Sequence, residues 1–125
     1  MGRGIFLSFR GSFDLYHIMT IQCKWFCKLL GVNGITLFPF VFVNNKTNAI
    51  LINHEKIHLA QQKELYILPF YYLYLRSYFK NRKLYKDSYL SYRNIYFEKE
   101  AYENQDNLLY LKTREKKAYN KYLNN

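Results

Sequence analysis

Two histidines four residues apart constrain the fold of this chain more than any other feature. Residues 54 to 58 read His-Glu-Lys-Ile-His, an H-E-x-x-H pattern. On a helix, this spacing places His54 and His58 on one face about one turn apart, where both imidazoles can hold one divalent ion while Glu55 projects toward a metal-bound water. Because such a site needs a third protein ligand, a second element must pack against this face.

The rest of the sequence predicts a mostly helical α+β fold. The run 35–43 (ITLFPFVFV) is rich in β-branched and aromatic residues, which favours a strand, and Pro39 marks an edge or a bulge. We expect Thr47 to cap the helix that carries the histidines. Helices are expected over residues 48–68, 70–80 and 92–123. The predicted architecture is an edge strand or hairpin packed on the H-E-x-x-H helix, with a long C-terminal helix.

Length and composition indicate one compact domain. The 125 residues are 50% hydrophobic with only 5 Gly and 2 Pro, which excludes a disordered or collagen-like chain. Residues 1–18 show no sustained helical or strand period, so we interpret them as an N-terminal extension outside the fold. Residues 19–125 form the expected domain, with Met19 as the natural start of a helical segment that ends at 31–34.

Charge is the unusual bulk property. The chain has 19 Lys+Arg against 9 Asp+Glu, a net charge of +10, which attracts phosphates, acidic polymers or anionic lipid surfaces. No segment reaches the ~20 apolar residues that span a bilayer, and no cleavable signal peptide is recognised. We therefore expect a cytoplasmic protein, with a peripheral position at the membrane as an open alternative. Cys23 and Cys27 are expected to be reduced thiols, and His17 a surface residue.

A third metal ligand is expected from an acidic segment downstream. Residues 97–104 (FEKEAYEN) carry three of the nine acidic residues of the chain. If they lie on one long helix, Glu100 shares the apolar face that must turn inward, whereas Glu98 falls on a flank. We predict Glu100 as the third ligand, with Glu103 one turn later as the alternative.

Three amide side chains are candidates for orienting the imidazoles. Gln61 and Gln62 follow His58 by three and four residues, and Asn104 follows Glu100 by four. A hydrogen bond from such an amide to a ring nitrogen would fix the orientation of the ring. The alternative is that the glutamines lie on the surface without this role.

The segments HEKIHLAQQ and EKEAYEN together resemble the gluzincin branch of the zincin metallopeptidases, in particular the small single-domain minigluzincin type. In that family, H-E-x-x-H is combined with a Glu in an E-x-E-A-type helical segment. The resemblance covers residues 35–115. It implies one zinc ion per chain. The ligands that it implies are His54, His58 and Glu100.

The same resemblance implies a zinc metallopeptidase, active or latent, that acts on a peptide or protein substrate. Glu55 would be the general base and acid, and strand 35–43 the edge along which an extended peptide lies. Tyr102 stands where many relatives have Asp. Arg93, one to two turns before Glu100, is the candidate donor to the oxyanion.

The competing interpretation is a binding protein without catalysis. Fourteen Tyr and ten Phe occur among basic residues, notably in 76–86 and 112–121, and could contact nucleic acid or an anionic membrane. Tyrosines also pack helices, and no RNP-like signature accompanies them, which disfavours nucleic acid. A membrane surface is the stronger of these two alternatives.

Overall fold

The computed structural model describes residues 19–123, which form a small sheet on a helical body. The strands are β1 (Thr20–Gln22), β2 (Gly34–Leu37) and β3 (Phe40–Val43). The α-helices are α1 (Lys24–Leu30), α2 (Ala49–Glu64), α3 (Leu68–Tyr85), α4 (Ser88–Arg93), α5 (Tyr96–Asn104) and α6 (Tyr110–Thr113), followed by a 3-10 helix over Ala118–Tyr122. The predicted mostly helical α+β class is confirmed. The predictions for residues 1–18 and for His17 lie outside the described residues.

The sheet has the order β1-β3-β2, with β1 parallel and β2 antiparallel to β3. Of the two predicted alternatives for 35–43, an edge strand or a hairpin, the structure has the hairpin, because Leu37 pairs with Phe40 and leaves Phe38 and Pro39 as a two-residue turn. Pro39 therefore lies in the turn, where its missing N–H costs no ladder hydrogen bond. Among the described residues, β2 is an edge strand.

The helix predicted over 48–68 is confirmed as α2, with a different cap and an earlier end. The side chain of Asn48, rather than Thr47, caps it by accepting a hydrogen bond from the Leu51 N–H at 3.1 Å. Tyr66 and Ile67 have positive φ values of 59° and 69°, so the chain leaves the helical path after residue 64. The helix predicted over 70–80 is present and is longer than expected, because α3 covers Leu68–Tyr85.

The prediction of one long helix over 92–123 is wrong. Asn94 ends α4, and its side chain donates to the Leu90 carbonyl at 2.8 Å. Ile95 is extended and fully buried, so burying this side chain interrupts the helix. Further along, the Asn104 side chain donates to the Glu100 carbonyl at 2.8 Å in the last turn of α5. The resulting short α5 packs against α2.

The segment from Met19 is also not one helix. It forms β1 and then α1, which ends at Gly31 with a φ of 69°, a left-handed conformation that glycine adopts without strain.

Two apolar clusters flank the polar side chains of α2. On the sheet side, Val41 and Val43 pack with Leu59. On the other side, α3 and α5 contribute Phe70 and Phe97 to a cluster that also contains residues of the C-terminal segment. In the described part of the chain, no helix combines the length and apolar character needed to cross a membrane.

Candidate metal centre

Three potential ligand atoms from α2 and α5 converge in a nearly equilateral triangle. His54 Nε2 lies 3.1 Å from His58 Nε2, and each of these atoms lies 3.1 Å from Oε1 of Glu98. All three residues are buried. Tetrahedral coordination at ~2.0–2.1 Å separates ligand atoms by about 3.3 Å, so the triangle is close to the size that one zinc ion requires.

Gln61 determines which nitrogen of His58 faces this triangle. Its Nε2 donates to the Phe97 carbonyl at 3.0 Å and to Glu100 Oε1 at 2.9 Å, two groups that only accept, so the orientation of the amide is fixed. Gln61 Oε1 therefore faces His58 Nδ1, at 2.8 Å. Because Nδ1 must donate to this oxygen, neutral His58 directs the lone pair of Nε2 toward Glu98.

His54 is oriented in the same way from another segment. Its Nδ1 lies 2.8 Å from Oε1 of Gln105. The loop that carries Gln105 is attached to α2 by Asn53, whose side-chain amide donates to the carbonyls of Gln105 at 2.8 Å and Asn107 at 3.0 Å. With both Nδ1 atoms donating, the lone pairs of two imidazoles and one carboxylate oxygen meet, an arrangement that a cation or a proton stabilises.

The electrostatics of this centre favour positive charge. Burial alone would lower the pKa of His58, but the negative charge of Glu98 and their hydrogen bond raise that pKa to about 9. Burial alone would raise the pKa of Glu98, but the two histidines hold it well below its usual range. The ion-free centre therefore carries a proton on the imidazole side and an ionised carboxylate opposite, and a divalent ion would replace that proton.

Glu55 lies beside the triangle on the side of β2. Ligand-type atoms of His54, Glu55 and His58 all lie within 4.8 Å of one another, which places the Glu55 carboxylate next to the two imidazoles. The Thr36 hydroxyl lies 2.9 Å from Glu55 Oε1. A Cβ on Gly34 would lie only 3.1 Å from Glu55 Cγ, so the glycine permits the close approach of β2 to α2.

Burial sets the protonation behaviour of Glu55. It raises the pKa of this carboxyl, while the charges of His58 and His54 oppose the shift. A carboxylate with a raised pKa is a stronger base than an exposed one, which suits proton transfer near neutral pH.

The structure places Glu100, predicted as the third ligand, in contact with partners other than the imidazoles. The Glu100 carboxylate is fully buried and points away from the imidazoles, toward the guanidinium of Arg114, whose Nη2 lies 3.1 Å from Oε1. It also accepts from the Tyr110 hydroxyl at 2.8 Å. Both sides of α5 are packed against other parts of the protein. A position on the apolar face of this helix therefore did not indicate which residues point toward α2. The alternative, Glu103, is exposed.

Gln62 has a different role from the one expected beside the imidazoles. Its Oε1 accepts from the Phe38 N–H at 3.0 Å, and its Nε2 donates to the Thr36 carbonyl at 2.9 Å. This amide pairs with the outer edge of the hairpin as a neighbouring peptide group would. It therefore closes that edge at the end of β2.

Two further candidates also lie elsewhere. Asn104 contacts the carbonyl of Glu100 rather than a histidine. The hydrogen bond to an imidazole that was expected of Asn104 is made by its neighbour Gln105, which contacts His54. The guanidinium of Arg93 stacks 3.8 Å from the centre of the Tyr102 ring and donates to the Tyr89 hydroxyl at 2.9 Å, so it does not point at the triangle.

Comparison of the chain with protein-family models, with curated proteins and with solved structures finds no match in any of the three. What can be concluded about function therefore rests on the site itself. A group of His and Glu side chains able to hold a metal ion is present.

A cleft of about 930 Å³ opens onto this group. The strand β2 forms one wall, and tyrosines that the sequence did not single out for the site form much of the other. The Tyr74 hydroxyl donates to Glu98 Oε2 at 2.7 Å, and the Tyr102 ring packs edge-on against His54. The Tyr92 and Tyr102 hydroxyls lie 2.9 Å apart. No fixed spacing in the sequence links these residues to the H-E-x-x-H motif.

Proposed function

We propose that this protein is a zinc-dependent hydrolase of the gluzincin type, with His54, His58 and Glu98 as ligands and Glu55 as the general base. The observation that carries the proposal is the 3.1 Å triangle of ligand atoms with both Nδ1 atoms held by amide oxygens. Two imidazoles and one carboxylate, with an open cleft beside them, are the ligand set of peptide-cleaving zinc sites.

The donor set favours zinc over other divalent ions. Magnesium and calcium prefer six or more oxygen ligands, whereas this centre offers two nitrogens and one oxygen. When bound, zinc supplies a Lewis acid and lowers the pKa of its water to about 7.

Glu55 supplies the proton transfer. Its carboxylate lines the cleft and lies on the same side of the triangle as the wall formed by β2. From this position it takes a proton from the attacking water and passes it to the leaving amine. The Thr36 hydroxyl, 2.9 Å away, keeps the carboxylate in place.

The Tyr92 and Tyr102 pair replaces Arg93 as the candidate donor to the oxyanion. Burial raises the pKa of both phenols, so they remain protonated at neutral pH and can donate. Both residues line the cleft, whereas Arg93 is occupied by stacking on Tyr102. Donors placed beside a developing negative charge are the usual device for stabilising a tetrahedral intermediate.

The edge of β2 supports an extended peptide as the substrate. An antiparallel partner along this edge would lie in the cleft and use backbone hydrogen bonds for affinity. Because Gln62 occupies the edge at Thr36 and Phe38, only the part of β2 near Gly34 remains for pairing. The cleft should therefore accept a short extended segment.

The test is cleavage of a quenched fluorogenic peptide library by the zinc-loaded protein and by two variants. Glu55→Gln should keep its zinc and lose cleavage by at least about 100-fold, because only the base is removed. Glu103→Gln, an equivalent change at an exposed position, should match the unaltered protein. Zinc binding without cleavage of any peptide, or equal cleavage by Glu55→Gln, would refute the hydrolase proposal.

A further inference from the structure

An exposed apolar stripe runs along α3 on the side that faces away from the core. Its members recur at spacings of four, three and four residues, which places them on one helical face. They are Leu68, Tyr72, Leu75 and Phe79, with exposed fractions of 77%, 67%, 53% and 60%. The opposite side of α3 carries Phe70 into the core. Surface helices ordinarily turn an apolar stripe inward, and a contiguous exposed one marks an interaction surface.

The same helix is strongly basic. Residues 65–86 contain five cationic side chains and no acidic one. The five, all exposed, are Arg76, Lys80, Arg82, Lys83 and Lys86. By helical position, Arg82 and Lys83 continue the face of the stripe beyond Phe79, and the first two lie along one flank. Lys86 follows directly after the end of the helix. The apolar stripe is therefore bordered by positive charge at its C-terminal end and along one side.

We propose that this face of α3 docks on an anionic lipid bilayer, with the helix axis parallel to the membrane surface. From Leu68 to Phe79 the stripe is about 16 Å long at 1.5 Å per residue. Apolar side chains entering the acyl boundary, with Lys and Arg beside them at the headgroup phosphates, are the features of an interfacial helix. This inference does not depend on the hydrolase proposal.

Charge decides between the bilayer and other occupants. A second copy of this chain would bring another net charge of +10 against the same basic residues. The first eighteen residues, with Arg3 and Arg10 against one acidic residue, are also net positive. Nucleic acid would satisfy the cations but leave the leucines and Phe79 exposed. Of these four occupants, the anionic bilayer alone satisfies both the charge and the apolar stripe.

Docking in this way would bring the cleft to the membrane surface. Leu75 belongs to the stripe and also lines the cleft beside the metal centre. The rim of the cleft therefore lies next to the bound lipid.

The test is sedimentation of the full chain with vesicles of phosphatidylcholine and phosphatidylglycerol in a 7:3 ratio, and with phosphatidylcholine alone. We expect binding to the anionic vesicles that weakens at least about tenfold without phosphatidylglycerol, and again between ~0.1 M and ~0.5 M salt. The double variants Leu68→Ser/Phe79→Ser and Lys80→Gln/Lys83→Gln should each lose at least about tenfold in vesicle affinity.

Matched controls make the site of docking testable. Leu108→Ser/Leu109→Ser changes two similarly exposed leucines, and Lys112→Gln/Lys116→Gln removes the same charge elsewhere; both should bind as the unaltered protein does. Equal losses in the control variants, or equal binding to both vesicle types, would overturn the proposal. So would a dimer or an RNA complex that the α3 variants abolish while vesicle binding is unaffected. Circular dichroism and zinc content, which should not change, separate these outcomes from unfolding and from failure of the metal centre.

Discussion

Oε1 of Gln61 lies 2.8 Å from Nδ1 of His58, and this contact sets the tautomer in which His58 can bind an ion. The amide is itself held by Glu100, whose carboxylate receives the guanidinium of Arg114. A chain of hydrogen bonds thus connects the C-terminal segment to the metal centre. Glu100, although not at the triangle, fixes the orientation of Gln61, which in turn orients His58.

We predict that Gln61→Met weakens zinc binding by about 10- to 100-fold, the usual effect of removing a partner that orients a ligating imidazole. Methionine fills a similar volume but cannot accept the His58 hydrogen bond. The affinity is measured by competition with a chromophoric chelator. The exposed neighbour Lys63→Met should leave the affinity unchanged, and equal affinities for all three proteins would contradict the role assigned to Gln61.

A second prediction concerns the buried ion pair of Glu100 and Arg114. Arg114→Met should destabilise the fold by about 3–5 kcal/mol, because it leaves a fully buried carboxylate without its cation. The double variant Arg114→Met/Glu100→Gln should recover part of this loss, since the fully buried charge is then removed together with its cation and only Glu64, 2.9 Å from Arg114 Nη2, loses its partner. Urea denaturation measures both free energies of unfolding. Additive losses in the double variant would show that the two side chains are not coupled.

Much of the framework could be predicted from the sequence, because it depends on local patterns. Three patterns each act through residues that are close together in sequence. They are the H-E-x-x-H spacing, the β-branched run and the glycine at position 31. The carboxylate that faces the two imidazoles could not be predicted in this way. Choosing Glu100 over Glu98 assumed a continuous helix from residue 92 with one inward face, but the buried Ile95 interrupts that helix and α5 is covered on both sides.

The partners of the imidazoles depend on contacts between distant segments. Gln105 reaches His54 only because Asn53 attaches the loop after α5 to α2, fifty-two residues away in sequence. Nothing in the sequence distinguishes Arg114, among 19 basic residues, as the cation beside Glu100. These features require the tertiary structure.

A third prediction concerns Gln62, whose side-chain amide pairs with the outer edge of the hairpin at the end of β2. Gln62→Leu should cost about 2–4 kcal/mol of stability, because the Phe38 N–H and the Thr36 carbonyl each lose their hydrogen-bond partner at a largely buried position. Thermal or urea unfolding measures this cost. At the exposed neighbour Lys63, a change to Leu should alter stability by less than about 0.5 kcal/mol. Similar costs at the two positions would argue against the closed edge.

The pKa shifts predict how the stability of the metal-free protein depends on pH. The pKa of His58 is raised in the folded state to about 9, so its contribution is fully present below the ordinary value of 6.5 and is lost as pH rises through 9. The pKa of Glu98 is lowered, so its contribution is present above the ordinary value of 4.5 and is lost as pH falls. The pKa of Glu55 is raised, so its ionisation destabilises the folded state; this cost appears as pH rises above 4.5 and runs against the gain from Glu98.

The contribution of His58 can be isolated with chelator-treated protein. Between pH 6 and pH 9 the unaltered protein should lose more thermal stability than His58→Asn, which lacks the titrating group. Zinc binding at pH 7.5 should release about one proton, the one held on the imidazole side of the centre. A parallel decline in both proteins, with no proton released on zinc binding, would be inconsistent with the charge arrangement described.

We propose that Glu98, on α5, completes a metal site with the two histidines of α2. The zinc content of purified Glu98→Gln and Glu103→Gln, measured after equilibration with a competing chelator, tests this directly. We expect about one zinc per chain in the unaltered protein and in Glu103→Gln, and almost none in Glu98→Gln. Retention of a full equivalent by Glu98→Gln would contradict it.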